Sequence, residues 1–526
     1  MYKLLLCWRY LCTRYIALVS IISVTLGVAT LIVVNSVMSG FTHEMEDRMH
    51  GIISDVVVES RGMIGFVNAD AHMARIREIV GDDIDAMTPT VHVPAMLNFR
   101  VNGSWMMRQV NFIGIDPKSY HLVSDSSGYL QHPQNRQQLS FNLRDGGYDI
   151  RDYTGGTDAP TRFGMEWAGW PYRRKVAEQE KAWLEMQQAS MNAQVAAAVA
   201  EARRADPFAG IETPKLAAAG DQGVDQQWEP ISGQGRDFDR ATEQYTGIVL
   251  GIALSRFRTD DGDHFLTLPG DDVTLTFPTT DTPPQAVTAT FTIVDFYESK
   301  MSEYDSAFVF APLDEIQRLR NMVDPTTGAT SVTAIQIKLK EGVSLNAVRD
   351  TLRRTFPPEY YAISTWRDKQ GPLLAAVQME TVILNILLFL IIAVAGFGIL
   401  AIFFMIVVEK TKDIGVLKSL GASGSGIMSI FLSYGLSLGV VGSGVGLALG
   451  LLFVHNIDRV RHAIEHVTGQ QVFDPDIYYF QEIPTIVEPL TIAWIISGAI
   501  GIAVLFSILP ALRAARLHPV EALRYE

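Results

Sequence analysis

Four uncharged stretches, at residues 15–42, 381–408, 419–454 and 490–512, are each long enough to cross a bilayer. A helix rising about 1.5 Å per residue needs about 20 apolar residues to span a hydrocarbon core about 30 Å thick. No other segment meets that requirement. Residues 43–380 are mostly polar and separate the first stretch from the second. The composition agrees, since 48% apolar residues and a mean hydropathy of +0.16 suit four spans plus one large domain outside the membrane. The fold class expected is an α-helical membrane protein with four transmembrane helices and a large α+β extracytoplasmic domain between helices 1 and 2.

Charge assigns the sides. Lys3, Arg9 and Arg14 precede the first span, Lys410, Lys412 and Lys418 lie between the second and third, and Arg513, Arg516 and Arg524 follow the fourth. The positive-inside rule makes these short segments cytoplasmic. With their nine bases and four acids set aside, the remainder keeps 34 bases against 53 acids, a net of −19 that suits a translocated domain. The expected layout is a cytoplasmic N-terminus (1–14), helix 1 (15–42), a periplasmic domain (43–377) and helix 2 (378–408). A cytoplasmic link (409–423), helix 3 (424–454), a periplasmic loop (455–489), helix 4 (490–512) and a cytoplasmic tail (513–526) complete it. The first apolar run exceeds the 7–15 residues of a signal h-region and lacks a small-x-small site near its end, so an uncleaved anchor is expected. Cys7 and Cys12, the two cysteines, fall on the reducing side, and no structural disulfide is expected.

Within the external domain, 43–51 continues the first helix, and 52–59 (IISDVVVE) has the β-branched density of a strand. Further strands are expected at 96–101, 109–115, 273–277, 289–295, 306–310 and 334–339, with helices at 69–80, 313–322 and 345–356 and a loop at 295–304. Residues 125–245 differ in character and read as an insertion. Stretches 126–138, 154–161 and 206–235 are rich in Gly, Pro, Ser, Thr, Gln and Asp and are expected to be loops or disorder. Between them, 172–205 is a helix by propensity, with Trp183 as its chief anchor and Trp170 just before it.

In the third span Gly435, Gly439, Gly442, Gly446 and Gly450 form ladders at intervals of four, the pattern of close helix packing or a dimer face. Charge inside the spans is nearly absent, which argues against a proton relay or a voltage sensor; Glu380 sits at a span's edge. The link EKTKDIGVLKSLGAS (409–423) repeats Ile414, Leu417 and Leu420 at spacing three, the mark of a short amphipathic helix on the cytoplasmic face. With Lys410, Lys412, Asp413 and Lys418 it is suited to receive force from a separate motor. The chain carries no phosphate loop, no H-E-x-x-H, no C-x-x-C and no G-x-S-x-G, so neither catalysis nor a metal site is expected of it.

These segments together resemble a family. The opening helix SVTLGVATLIVVNSVMSGF (23–41), IVLGIAL (248–254), FYESKMSEYDSAFVF (296–310), the link at 409–423, FDPDIYYFQEIP (473–484) and the closing LPALRAARLHPVEALRY (509–525) are similar to ABC-transporter permeases of the FtsX/MacB class. The resemblance is strongest to the LolC/LolE lipoprotein-releasing transmembrane subunits, and 125–245 departs from it, so no carrier-docking residue is transferred. It implies an inner-membrane, multi-pass permease that pairs with a second copy or a paralogue and binds a LolD-like cytoplasmic ABC ATPase. ATP and magnesium would be bound by that ATPase and no cofactor by this chain. The substrate implied is a lipoprotein drawn from the outer leaflet and passed to a periplasmic carrier; nucleic acid plays no part. Val37, Met38 and Phe41 with Leu384, Leu388 and Ile391 are the candidates for an acyl cavity between helices 1 and 2. A FtsX- or MacB-like mechanotransmission permease, and a receptor-like protein without an ATPase, are the alternatives.

Overall fold

The computed structural model describes residues 15–52, 54–101, 104–149, 162–205, 238–259, 262–468, 483–518 and 520. Cys7, Cys12, the bases of the N-terminus, Arg524 and the stretches 154–161, 206–235 and 473–482 lie outside the described residues. The chain divides into two compact units, Met49–Lys369 and a helical unit of Met1–Arg48 with Gln370–Glu526. The helices used below are α1 (Tyr15–Ile52), α2 (Trp170–Ala205), α3 (Gly371–Glu409), α4 (Thr411–Ser419), α5 (Gly424–His455), α6 (Ile457–Thr468) and α7 (Pro489–Arg516).

Four of them, α1, α3, α5 and α7, are long and apolar enough to cross a membrane. At 38 and 39 residues, α1 and α3 are about 57–58 Å long, nearly twice the hydrocarbon thickness. The excess on α3 begins at Gly371, where Pro372 occupies the first turn and its missing N–H costs nothing. Helix α6 falls in the segment read from sequence as a plain outer loop (455–489).

In the β-rich unit the sheet strands are β1 (Val56–Ser60), β2 (Ile84–Val101), β3 (Ser104–Ile115), β4 (Gly247–Gly251), β5 (Asp272–Pro278), β6 (Ala286–Tyr297), β7 (Phe308–Pro312), β8 (Ala334–Leu339) and β9 (Tyr361–Thr365). Their order is β9-β1-β8-β2-β3-β7-β4-β6-β5, and a further pairing of Met96, Leu97 and Asn98 on β2 with Thr276, Leu275 and Thr274 on β5 closes six strands on themselves. The closed part encloses Leu97, Phe112, Leu275, Phe277, Phe291 and Ile293, all at 2% exposure or less. Strand β5 alternates buried and half-buried positions, as one face on a core requires, whereas β4 is buried throughout.

Two sequence expectations change here. The strands expected at 96–101 and 109–115 are the ends of one long hairpin, Ile84–Val101 with Ser104–Ile115. Pro89 and Pro94 hid its first half; each is nevertheless paired, Pro89 opposite Ile335 and Pro94 opposite Asn111. Likewise, the residues expected as a loop from 295 begin as strand, because β6 runs to Tyr297 against β4.

The third correction concerns the insertion. Its described parts are bolted onto the sheet. Tyr148 is fully buried and donates to the Val294 carbonyl at 2.8 Å, and Asn135 Nδ2 donates to Asp295 at 2.7 Å. Residues 126–138 form two short helical turns, Asp125–Tyr129 and Pro133–Gln137, not open loop. Trp183 is 57% exposed; the anchor of α2 is Arg173, wholly buried and paired with Asp272 at 2.6 Å and the Gly270 carbonyl at 2.9 Å. A buried guanidinium with its carboxylate holds where an indole on a polar helix does not.

Candidate functional site

The helical unit is built around α5, whose missing side chains decide what can touch it. A Cβ on Gly442 would lie 2.9 Å from Val24 Cβ, on Gly446 2.8 Å from the Thr25 carbonyl, and on Gly450 3.1 Å from Ile32 Cβ. On the other ladder Gly435 meets Ser507, and Gly439 meets Ala503 and Ile500. One ladder therefore seats α1 and the other α7, with partner residue numbers rising together on α1 and α5, so these two helices run parallel. Thr25 Oγ1 donates to the Gly442 carbonyl at 3.1 Å, sealing the closest approach. These glycines serve packing within one chain, and a Cβ at any of the five would come within 3.1 Å of a neighbour.

The link folds as α4. Its Ile414 is 4% exposed and joins Phe403, Val407, Ile427 and Ala511 in the bundle core. Lys418 Nζ donates to the carbonyls of Ala515 at 2.7 Å and Leu517 at 2.6 Å, capping the C-terminus of α7 with a positive charge. Lys410 pairs with Asp413 at 2.7 Å. Exposed on the opposite face are Val416, Leu417 and Leu420, the last at 81%, with Lys412 beside them. The spacing of Ile414, Leu417 and Leu420 suggested one shared face; the structure divides it. Ile414 and Lys418 brace the link, while Leu417 and Leu420 are presented outward. Val416 belongs to the outward group and was not singled out from sequence.

Of the six residues expected to form a cavity, Val37, Met38, Phe41, Leu384 and Leu388 are half-buried and Ile391 is 56% exposed. None of them lines the apolar groove that the structure opens between α1 and the end of α5, a space of ≈ 660 Å³ bordered by Leu26, Thr30, Val33, Leu449, Leu452 and Phe453 among others. Helices α1 and α3 meet through Leu31 and Ile392, with Leu388 packed against them, and through one polar contact, Asn35 Nδ2 donating to Asn385 Oδ1 at 2.8 Å. Two amides at matching depth in otherwise apolar spans were a readable signal that hydropathy alone passes over.

The β-rich unit carries a second set of groups unforeseen from sequence. Asp305 accepts from Ser299 N and Oγ, both at 2.7 Å, and burial pushes its carboxyl up to about 7 in spite of them. Burial raises Asp295 to about 6, opposed by hydrogen bonds from Asn135, Phe296 and His132. Glu298 goes the other way: burial would raise it, but Arg162 at 2.7 Å and Arg256 at 3.1 Å hold it below the ordinary carboxylate range. These groups hold the 296–310 segment in place; none lies in a catalytic arrangement with a nucleophile.

The chain thus holds four membrane-length helices, a β-rich region between the first and second, and a braced link with an outward apolar face between the second and third. Residues 385–519 match the family model described as FtsX-like permease C-terminal. The chain is similar to the lipoprotein-releasing system transmembrane protein LolC of Xylella fastidiosa, 29% identical over 261 residues, which is 49% of this chain and 61% of that protein. It is 27% identical over 221 residues to LolE of Haemophilus influenzae, covering 42% and 52%. The macrolide export ATP-binding/permease protein MacB of Bdellovibrio bacteriovorus is 27% identical over 209 residues, 38% of this chain and 29% of that one. The chain thus spans between half and two-thirds of the Lol proteins it is compared with. The LolC/LolE-like resemblance carried by the sequence motifs is the one these comparisons find.

Proposed function

We propose that this chain is the membrane-embedded, non-catalytic permease subunit of an ATP-driven ABC transporter. In this reading the system extracts lipoproteins from the outer leaflet of the inner membrane and hands them to a periplasmic carrier. The observation that carries it is α4: an outward face of Val416, Leu417 and Leu420 on a link tied by Ile414 and Lys418 to the helices it must move. Push from a cytoplasmic ATPase on such a link reaches α3 through its own chain and α7 through Lys418. A second permease copy or a paralogue completes the complex, with both termini cytoplasmic. A motor is needed because burial is worth about 0.8 kcal/mol per CH₂, so one acyl chain costs on the order of 10 kcal/mol to withdraw.

The test is Leu417→Asp with Leu420→Asp in the full complex. ATPase co-purification and release of a radiolabelled lipoprotein from proteoliposomes should both fall more than tenfold, with membrane insertion unchanged. Release at the parental rate would sink the reading. The similarity to MacB supports a second reading, mechanotransmission without passage of a lipid, in which the same variants lose ATPase coupling but proteoliposomes of the parent release no lipoprotein.

A further inference from the structure

The end of α5 combines an apolar groove, an amphipathic helix and a cation with no carboxylate partner among the described residues. Gly450 has no side chain to hold α1 away, so Ala29 and Ile32 approach closely, and Ala29 and Gly450 line the groove. Its walls are Leu26 and Thr30 on one side and Leu449, Leu452 and Phe453 on the other, and Leu26 and Leu452 are 66% and 60% exposed. At Asn456 the chain leaves α5 and starts α6, which places Val460 at the mouth of the same groove. From there Val460, Ala463, Ile464 and Val467 continue as one stripe along α6, at the i, i+3, i+4, i+7 spacing of a single helical face. That face is open, with Val467 86% exposed.

The charges of α6 differ in their commitments. Arg461 lies 3.6 Å from Asp458 and 3.7 Å from Glu465, and His462 lies 3.4 Å from Glu465. Arg459 has no carboxylate partner among the described residues. Its guanidinium donates to Asn456 Oδ1 at 2.7 Å, and Asn456 itself lines the groove and donates to the Leu452 carbonyl at 2.8 Å. A positive charge thus sits one hydrogen bond away from a residue that lines the apolar groove.

We propose that this groove is a binding site for one glycerophospholipid of the leaflet opposite the link, with an acyl chain between α1 and α5 and its phosphate on Arg459. Helix α6 then lies in the interface of that leaflet, apolar stripe in the hydrocarbon, as amphipathic helices do. The proposal rests on the spans being membrane-embedded and not on what the transporter carries. Volume and charge choose the occupant. Benzene fills a cavity of about 150 Å³, roughly 25 Å³ per carbon. By that measure the groove's ≈ 660 Å³ holds roughly 26 carbons, enough for one acyl chain and too few for the three of a triacylated protein. Arg459 requires an anionic group where such an acylated cysteine has none.

The test uses the full-length protein in mixed micelles containing either phosphatidylglycerol or diacylglycerol of the same chains, with retained lipid counted by native mass spectrometry. One phosphatidylglycerol per chain is expected to survive exhaustive washing. Arg459→Gln should weaken phosphatidylglycerol about five- to tenfold, the worth of one cation at a lipid surface, and leave diacylglycerol unchanged. Thr30→Phe, which fills the groove, should weaken both, and Leu452→Trp repeats that test from the α5 side. Leu436→Phe, an exposed position elsewhere on α5, should weaken neither. Equal retention by the parent and all groove variants overturns the site, as does a loss in Thr30→Phe with no effect of Arg459→Gln. Cross-links from Val467→Cys to a second copy or to residues 469–482, with no phospholipid retained, overturn it too.

Discussion

The two units of this chain solve close packing in opposite ways. In the β-rich unit, large side chains fill the space and buried charges are matched one against another: Phe112 among Phe277 and Phe291, Arg173 on Asp272, Arg162 on Glu298. In the helical unit, α5 removes side chains so that backbones can meet, and the polar contacts that tie α1 to α5 and to α3, through Thr25 and Asn35, are uncharged. The reason is the solvent. Water gives apolar side chains a reason to be buried, so volume added to a soluble core stabilises; lipid offers no such gain, and close contact must come from small residues. The two units should therefore fail to opposite kinds of substitution, additions in one and deletions in the other.

The largest effect should come from adding volume to the bundle. Gly446→Leu puts atoms where the Thr25 carbonyl and Val28 already are, and overpacking against backbone is expected to cost about 3 kcal/mol or more. Thermal unfolding in detergent should show it as a lost or broadened transition. Gly444→Ala, where a Cβ meets nothing within 4 Å, is the control and should be silent. If the two behave alike, the glycines are incidental and the contrast between the units collapses.

Deleting a charge tests the other unit. Arg173→Met leaves Asp272 without its nearest cation in a largely buried place and strips the Gly270 carbonyl of its donor. Removing one partner of a buried pair costs about 3 kcal/mol or somewhat more, to be read as a lower denaturation midpoint and as rapid proteolysis at the start of α2. Trp183→Ala, on the exposed stretch of the same helix, should change the midpoint little.

A smaller and reversible effect is set by pH. Asp305, raised to about 7, and Asp295, raised to about 6, bind protons more tightly folded than unfolded. Their contribution is fully present below the unfolded carboxylate value, near pH 4, and is lost as pH rises through 6 and 7. Glu298, held low by its arginines, works in the opposite sense and contributes above its unfolded value. Between pH 5 and pH 8 the unit should therefore lose stability, seen as faster hydrogen exchange at 296–310. Asp305→Asn should flatten that slope. A midpoint that rises over this interval contradicts the assignment.

Sequence patterns conveyed the two units unequally, for the same physical reason. A span is a local property, so hydropathy located all four long helices, and a glycine ladder is local too. Which face of a short helix turns inward is not local. Ile414 and Leu417 have the same chemistry and differ only because Phe403 and Ile427 stand over one of them. The stripe of α6 is present in the letters at 460, 463, 464 and 467, but hydropathy, which averages over a window, shows only a charged segment between two long apolar runs. In the β-rich unit, Arg173, Asp263 and Asp305 read as surface residues in isolation, and only long-range pairing makes them interior ones. The hairpin's first half was obscured by prolines that its neighbours tolerate.

The smallest effect tests the comparison at its weakest point, a side-chain amide pair bridging α1 and α3. If lipid made every polar contact strong, Asn35 with Asn385 would rival Arg173 with Asp272. Hydrogen bonds between membrane helices average only about 0.6 kcal/mol in double-mutant cycles, because separated helices find other partners for the same groups. Asn35→Val, Asn385→Val and the double variant should therefore give a coupling near that value. A coupling above about 2 kcal/mol would mean that the bundle, like the β-rich unit, depends on a specific buried polar contact. The glycines of α5 would then share the task of holding α1 in place with Asn35.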